Sequence, residues 1–401
     1  MASDSDENDN VLDYRETPLN ACSLETFCDA DSRSIPLCLG CYQLNETTGN
    51  REGRLDLYSI PFHEKSVDSL SFGANLPLTI FGDDPNNPAP GVLDGKWSNH
   101  ARNMEGSFQN YYATAHANGE IWVHDIQSSK SSFQAKLAGT SDSPSSSEGL
   151  CLALAWESPL YSDNNNNNSS ESLDTRIISS YSDGHAAIHR VRKRAQQEEE
   201  STESELEFEL EHHWYSHKMF TVPAEVWCAN FIDSNSVVTG GDEGSWKLWD
   251  LRQPLLRPVH HGQDDFGAGV TVLSPHPQNS QLLAIGSYDE TVAIFDLRQA
   301  NSPQSLYHSE SLGGGIWRCK WHPFHANKLL VAAMHGGCVV GEFQGLNTNI
   351  EENIEFQIRN EFKLHKSMAY GIDWLSSGKK DAATSCSFYD KAMYLWKASP
   401  S

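Results

Sequence analysis

The sequence predicts an all-β protein, a seven-bladed β-propeller closed by an N-terminal strand. Three observations predict it. The first is a strand ending that recurs: Gly244-Ser-Trp-Lys-Leu-Trp-Asp-Leu-Arg252 is answered by Glu290-Thr-Val-Ala-Ile-Phe-Asp-Leu-Arg298. The second is what precedes each copy, a short strand of small residues and an acidic turn, Val237-Val-Thr-Gly-Gly-Asp-Glu243 and Leu283-Ala-Ile-Gly-Ser-Tyr-Asp-Glu290. Together these mark a WD40-type blade. The third is composition. The chain has 401 residues, 38% of them hydrophobic, with 11 Trp and 13 Tyr. That supplies one large core of aromatic-rich strands.

The third strand of each blade is read at Arg54–Tyr58, Glu120–His124, Ala186–His189, Trp246–Trp249, Thr291–Phe295, Cys338–Phe343 and Ala392–Trp396. First strands are read at Gly91–Trp97, Leu150–Trp156, Val226–Phe231, Gly269–Leu273, Ile316–Trp321 and Tyr370–Trp374, where apolar residues alternate with small or polar ones. An eighth, worn blade over 62–90 is the competing count. Little sequence follows Trp396, so the outer strand of the seventh blade is expected from Asn10–Glu16. That closure would remove an exposed edge. The expected organisation is an acidic N-terminal segment over 1–9 and one propeller over 10–398. Loop insertions are expected near 83–90, which is Pro-rich, near 161–174 around the Asn164–Asn168 run, and over the acid-rich 196–211.

Charge narrows the partners. A formal net charge of −25 disfavours nucleic acid and anionic membrane and favours a cationic ligand or basic protein surface. The N-terminus has neither the basic start nor the apolar run of a signal peptide. No apolar stretch is long enough for a membrane helix. Nine scattered cysteines fit a reducing, cytoplasmic compartment. A monomer is expected.

The last four blades carry a more specific pattern. Gly240–Asp250, Gly286–Glu290, Gly313-Gly-Gly-Ile-Trp-Arg-Cys-Lys-Trp-His-Pro323, Ala332-Ala-Met-His-Gly-Gly337, His365-Lys-Ser-Met-Ala-Tyr-Gly-Ile-Asp-Trp374 and Thr384-Ser-Cys-Ser-Phe-Tyr-Asp390 stand in that order. From about Trp227 to Trp396 this resembles the WD-repeat diphthine methylesterase family of the diphthamide pathway. The resemblance implies a carboxylic ester hydrolase that uses no cofactor. Its substrate would be elongation factor 2 bearing methylated diphthine, and its products diphthine and methanol. A rival reading is a non-catalytic scaffold or substrate receptor. Trp249-Asp-Leu-Arg252 and Phe295-Asp-Leu-Arg298 resemble boxes that bind the adaptor of cullin-4-type ubiquitin ligases.

Ester hydrolysis needs a nucleophile and oxyanion donors. The chain has neither a Gly-x-Ser-x-Gly elbow nor a His-Glu-x-x-His helix. Candidates therefore come from the loops that share one face of the disc. His335, His365, Asp289, Asp390 and Arg318 are the candidate catalytic residues. His335 stands out because the neighbouring turns carry Asp242 or Asp289. His365 occupies the usual place of a blade-ordering histidine, and Asp242 and Asp289 double as turn caps. Arg318 either holds an oxyanion or pairs with an acid. The resemblance implies a quaternary ammonium in the substrate. Aromatic faces and carboxylates bind such a group. Trp227, Trp317, Tyr370, Phe388, Tyr389, Glu225 and Asp242 are the candidate binding residues, each with packing between blades as its plainer role. Cys38-Leu-Gly-Cys41 has metal-ligand spacing but lies in a strand, where positions three apart face opposite sides, so no metal is assigned. Cys386 is a possible thiol nucleophile or, more plainly, a buried strand residue.

Overall fold

A computed structural model of the chain describes residues 10–27, 34–61, 70–72, 76–84, 87–98, 110–128, 133–144, 149–158, 173–194, 204–346, 354–376 and 381–399. Every regular element among them is a strand. Seven antiparallel sheets follow one another along the chain. Blade 1 is Asn20–Thr26, Ser34–Leu44, Arg51–Pro61 and Leu78–Phe81. Blade 2 is Val92–Trp97, Asn110–His116, Ile121–Ser128 and Phe133–Thr140, and blade 3 is Cys151–Trp156, Asp174–Tyr181, His185–Lys193 and Leu206–Tyr215. Blade 4 is Val226–Phe231, Ser236–Gly241, Trp246–Asp250 and His260–Gly262, and blade 5 is Val270–His276, Asn279–Ser287, Val292–Asp296 and Gln304–His308. Blade 6 is Arg318–Trp321, Lys328–Ala332, Cys338–Gln344 and Glu355–Phe362. Blade 7 takes Ala369–Ser376, Asp381–Ser387 and Ala392–Lys397, and Val11–Glu16 pairs antiparallel with the last of these as its outer strand.

First strands touch their neighbours all round the ring, and blade 1 meets blade 7. They therefore line the central channel. The core lies between blades, where both faces of each sheet are buried, so small and branched apolar residues dominate it. Gly40, Gly240 and Gly286 show why small residues recur there. A Cβ on any of them would meet a side chain in or just before the next blade's first strand, Val92, Val270 or Ile316 in turn, at 2.5–2.6 Å.

Two expectations change. The first strand of blade 1, Asn20–Thr26, had no counterpart in the sequence reading. The acid-rich 196–211 segment is not a loop throughout. Leu206–Glu211 belongs to the outer strand of blade 3. Leu206 is buried, and Phe208 packs against the same cluster. Two acids of the same strand meet cations: Glu209 meets Arg192 at 2.9 Å and Glu211 meets Arg190 at 3.4 Å. Of the other insertions, Asp174 opens a strand and Ala89–Pro90 pairs with the third strand of blade 1. The Asn164–Asn168 run lies outside the described residues.

Candidate active site at the channel mouth

Each blade builds the mouth with the same two devices. The first is a bulge at the start of the first strand. Register skips one residue in blades 1 to 5 and 7: Cys22, Leu93, Leu152, Trp227, Thr271 and Tyr370. In blade 6 the Trp317 N–H and Arg318 both face Ala332, so Trp317 is the equivalent residue. Bulges re-aim side chains. The second device is the turn after the second strand. The matching bonds Gly241 N–H to Ser245 O, Ser287 N–H to Thr291 O and Ala333 N–H to Gly337 O align these turns. Asp242, Tyr288 and Met334 then share one position, and Glu243, Asp289 and His335 share the next.

The rings meet at this mouth. Trp227, Tyr288 and Trp317 form a mutual edge-to-face set with centroids 5.6, 6.0 and 6.3 Å apart. Trp317 stacks on Tyr370 at 4.7 Å. Tyr370 leads to Phe388 at 5.4 Å, and Phe388 to Tyr42 at 5.0 Å and Tyr389 at 4.9 Å. These rings do not offer equal surface. One face of Trp317 is covered by Tyr370, and the Arg318 guanidinium lies over its ring at 5.5 Å. Phe388 is buried and packs against Tyr370, Tyr42 and Tyr389. Tyr389 is exposed at the rim with no acid bonded to it.

Trp227 and Tyr288 are half-buried and adjoin carboxylates. The Trp227 indole donates to Asp242 Oδ1 at 3.1 Å. Burial, then Asp242, raises the pKa of Glu225 above the ordinary carboxylate range. Burial, then Asp242 and Glu225, raises that of Tyr288. Two rings and two acids thus share one side of the mouth. Tyr288 was missed from sequence because it reads as part of a tight acidic turn. Its signal was the turn alignment, which puts an aromatic where blade 4 has Asp242.

Most of the candidate catalytic residues make bonds that hold the blades and turns. His365 accepts or donates to Ser385 Oγ at 2.8 Å, and the Trp396 indole donates to that oxygen at 3.1 Å. His217, Thr239 and Trp249 repeat this in blade 4. His365 is enclosed by Phe362 and Tyr394, away from the mouth rings. Asp289 accepts from Gly267 N–H at 2.7 Å and from the Thr291 hydroxyl at 2.6 Å. Asp390 accepts from Lys366 N–H at 2.8 Å and from the Ser387 hydroxyl. Both are turn caps. His335 is exposed at a turn tip and has no hydrogen-bond or ion-pair partner among the described residues. A general base held by an acid is not built there.

Replacing His365 by Ala is expected to cost about 1–3 kcal/mol of stability, the cost of leaving the buried Ser385 hydroxyl without its histidine partner, with turnover unchanged. Burial depresses the His365 pKa to about 4. Protonation then favours the unfolded chain. The stability difference between wild type and variant is therefore full above about pH 6.5, the unfolded value, and shrinks as pH falls. Denaturation at several pH values checks this.

Arg318 belongs to an ionic plug, a run of ion pairs built across the first strands. Asp373, Lys320, Glu25, Lys96, Asp94 and Arg318 alternate in sign. Lys320 bonds Glu25 and lies 3.8 Å from Asp373. Lys96 bonds Glu25 at 2.8 Å and Asp94 at 2.7 Å, and Arg318 bonds Asp94 at 3.1 Å. Burial alone would discharge Asp94, but Lys96 and Arg318 outweigh it and hold its pKa below the usual range. Arg318 is thereby a plug residue paired with an acid. The Trp317 Nε1–H is buried without a partner among the described residues.

The described cysteines are free and buried. Cys38 and Cys41 pack into different clusters, on opposite faces of their strand. Cys386 is buried in its strand, and burial pushes its thiol up. Arg252 and Arg298 fold back on Asp250 at 2.8 Å and on Asp296, on adjacent blades.

Fold and mouth define a WD40-type propeller with an aromatic, acidic channel entrance. The family model for the WD domain, G-beta repeat, matches residues 209–250. That span joins the outer strand of blade 3 to three strands of blade 4, so a sequence repeat straddles two blades. A chain from the crystal structure of the Mitotic Checkpoint Complex superposes with a TM-score of 0.58 at 13% identity. It covers 96% of this chain and 90% of that one, and shares the fold. A Dictyostelium discoideum protein named diphthine methyltransferase homolog is 33% identical over 327 residues, 76% of each chain. The Saccharomyces cerevisiae diphthine methyltransferase is 27% identical, over 98% of this chain and 99% of that one. The human diphthine methyltransferase is 34% identical over 40% of this chain and 33% of that one. The chain belongs to the diphthine methyltransferase family.

Proposed function

We propose that this protein hydrolyses the methyl ester of methylated diphthine on elongation factor 2, giving diphthine and methanol. The observation that carries the reading is the wall formed by Trp227, Tyr288, Glu225 and Asp242. A quaternary ammonium has no N–H to donate. Aromatic faces and fixed carboxylates bind it.

In this reading Glu225 takes a proton from a water as that water's oxygen attacks the ester carbonyl. The tetrahedral centre collapses, the carbonyl carbon–methoxy bond breaks, and the proton on Glu225 passes to methoxide as methanol. Water is the only co-reactant. A pKa raised by burial suits Glu225 to this exchange, because a base works best when its pKa approaches the working pH. The protein would act in the cytoplasm as a monomer.

Purified protein is expected to remove the mass of one methylene from methylated-diphthine elongation factor 2, read by mass spectrometry. No loss with folded protein would favour an interaction disc instead. Trp227→Ala and Tyr288→Ala are each expected to raise KM about 5- to 30-fold, roughly 1–2 kcal/mol for a desolvated cation on an aromatic face. An unchanged KM in both would remove this wall from substrate binding.

A further inference from the structure

One small element belongs to no blade. Lys218–Met219 pairs antiparallel with Val222–Pro223, joined by Phe220 and Thr221. Two-residue hairpin turns that need a positive φ at their first position favour glycine. Here that position is Phe220, at φ 55. Its side chain is 91% exposed. A bulky residue in left-handed backbone is a cost that no packing around Phe220 offsets. Met219 and Val222 are cross-strand partners, so their side chains leave the hairpin on one face, and both are exposed.

The tip is exposed, but the base is fixed. Ser216 and His217 N–H donate to Gly184 O at 2.9 and 3.2 Å, and Ala224 N–H donates to His217 O at 3.3 Å. His217 is itself held by Thr239 at 2.7 Å and by Glu243 at 2.6 Å. The Lys247 ammonium ties down Ser216 O at 2.7 Å. An apolar tip on a fixed base loses less freedom on binding than one on a free loop. The hairpin is also continuous with the mouth. Ala224 closes it, and Glu225 and Trp227 follow directly.

We propose that this hairpin is a docking finger for the protein body of the substrate, resting on the hydrolase reading above. A modified side chain that enters the mouth brings its own protein surface against the rim where the finger stands. The complementary surface is an apolar groove flanked by basic residues, to match the Glu225 and Asp242 rim and a chain of net charge −25.

The test compares two substrates: whole methylated-diphthine elongation factor 2, and a short synthetic peptide bearing the same modified histidine. Phe220→Gly is expected to raise KM for the whole factor about tenfold or more. KM for the peptide and kcat for both should not move. Thermal stability should hold or rise, because glycine accepts the positive φ. The double variant Met219→Ser/Val222→Ser should repeat the split. An unchanged KM on the whole factor overturns the finger. So does an equal rise on both substrates, which would mean a distorted mouth. Concentration-dependent dimers of wild type that Phe220→Gly abolishes would assign the tip to a second copy of this chain and overturn it too. Should wild type cleave neither substrate, the hydrolase reading falls, and equilibrium binding of the whole factor decides the finger. Tighter binding by wild type than by Phe220→Gly retains it, and equal binding overturns it.

Discussion

Replacing Glu225 by Gln is expected to lower kcat for ester hydrolysis by two to four decades, roughly the contribution of a positioned general base. The substitution keeps the shape of the side chain and its backbone bond to Asp242 N–H. It removes only the ability to take a proton. Asp242 and the rings remain, so KM should rise no more than a few-fold. The pH profile gives a second sign. Only the ionised carboxylate accepts a proton. Burial and the nearby Asp242 raise the Glu225 pKa. The wild-type rate should therefore fall as pH drops through a value above that of an ordinary Glu. Asp242→Asn removes one cause of the shift and should move that limb to lower pH. A Glu225→Gln enzyme with wild-type kcat would take Glu225 out of the chemistry and leave it a charge partner for the substrate cation.

The blades were legible because strand alternation, small-residue second strands and acidic turns are local properties. Where local reading failed, two local signals conflicted. Leu206, Phe208 and Leu210 alternate with Glu207, Glu209 and Glu211, which is strand period. The density of acid hid that alternation, and the cations that answer it, Arg190 and Arg192, lie on the neighbouring strand. Trp227 and Trp317 were legible as a matched pair because they hold corresponding positions at the start of two blades, and the fold gathers both with Tyr370 at the mouth. His335 stands one step along its turn from the position that Asp242, Tyr288 and Met334 share, and it is exposed at the tip. The plug was not legible, since Asp94 and Arg318 stand 224 positions apart and meet only when the ring closes.

That plug gives the largest expected loss of stability. Asp94→Leu should destabilise the fold by about 3–5 kcal/mol, the cost of leaving a buried charge without its partner. Arg318 would keep only its bond to Trp317 O, at 3.2 Å. Lys96 would keep Glu25 and suffer less. Adding Arg318→Met should recover most of the loss, because replacing both members of a buried pair by apolar groups is often near neutral. The linkage has a definite sign. The folded Asp94 pKa is depressed. Its contribution is therefore full above the unfolded value of about 3.9 and is lost as pH falls through the folded value. The gap between wild type and Asp94→Leu should stay constant above about pH 5 and close in stronger acid. The double variant also separates the two roles proposed for Arg318. A plug residue leaves kcat within a few-fold of wild type once the fold is restored. An oxyanion-binding residue leaves a stable protein whose turnover has fallen by two decades or more.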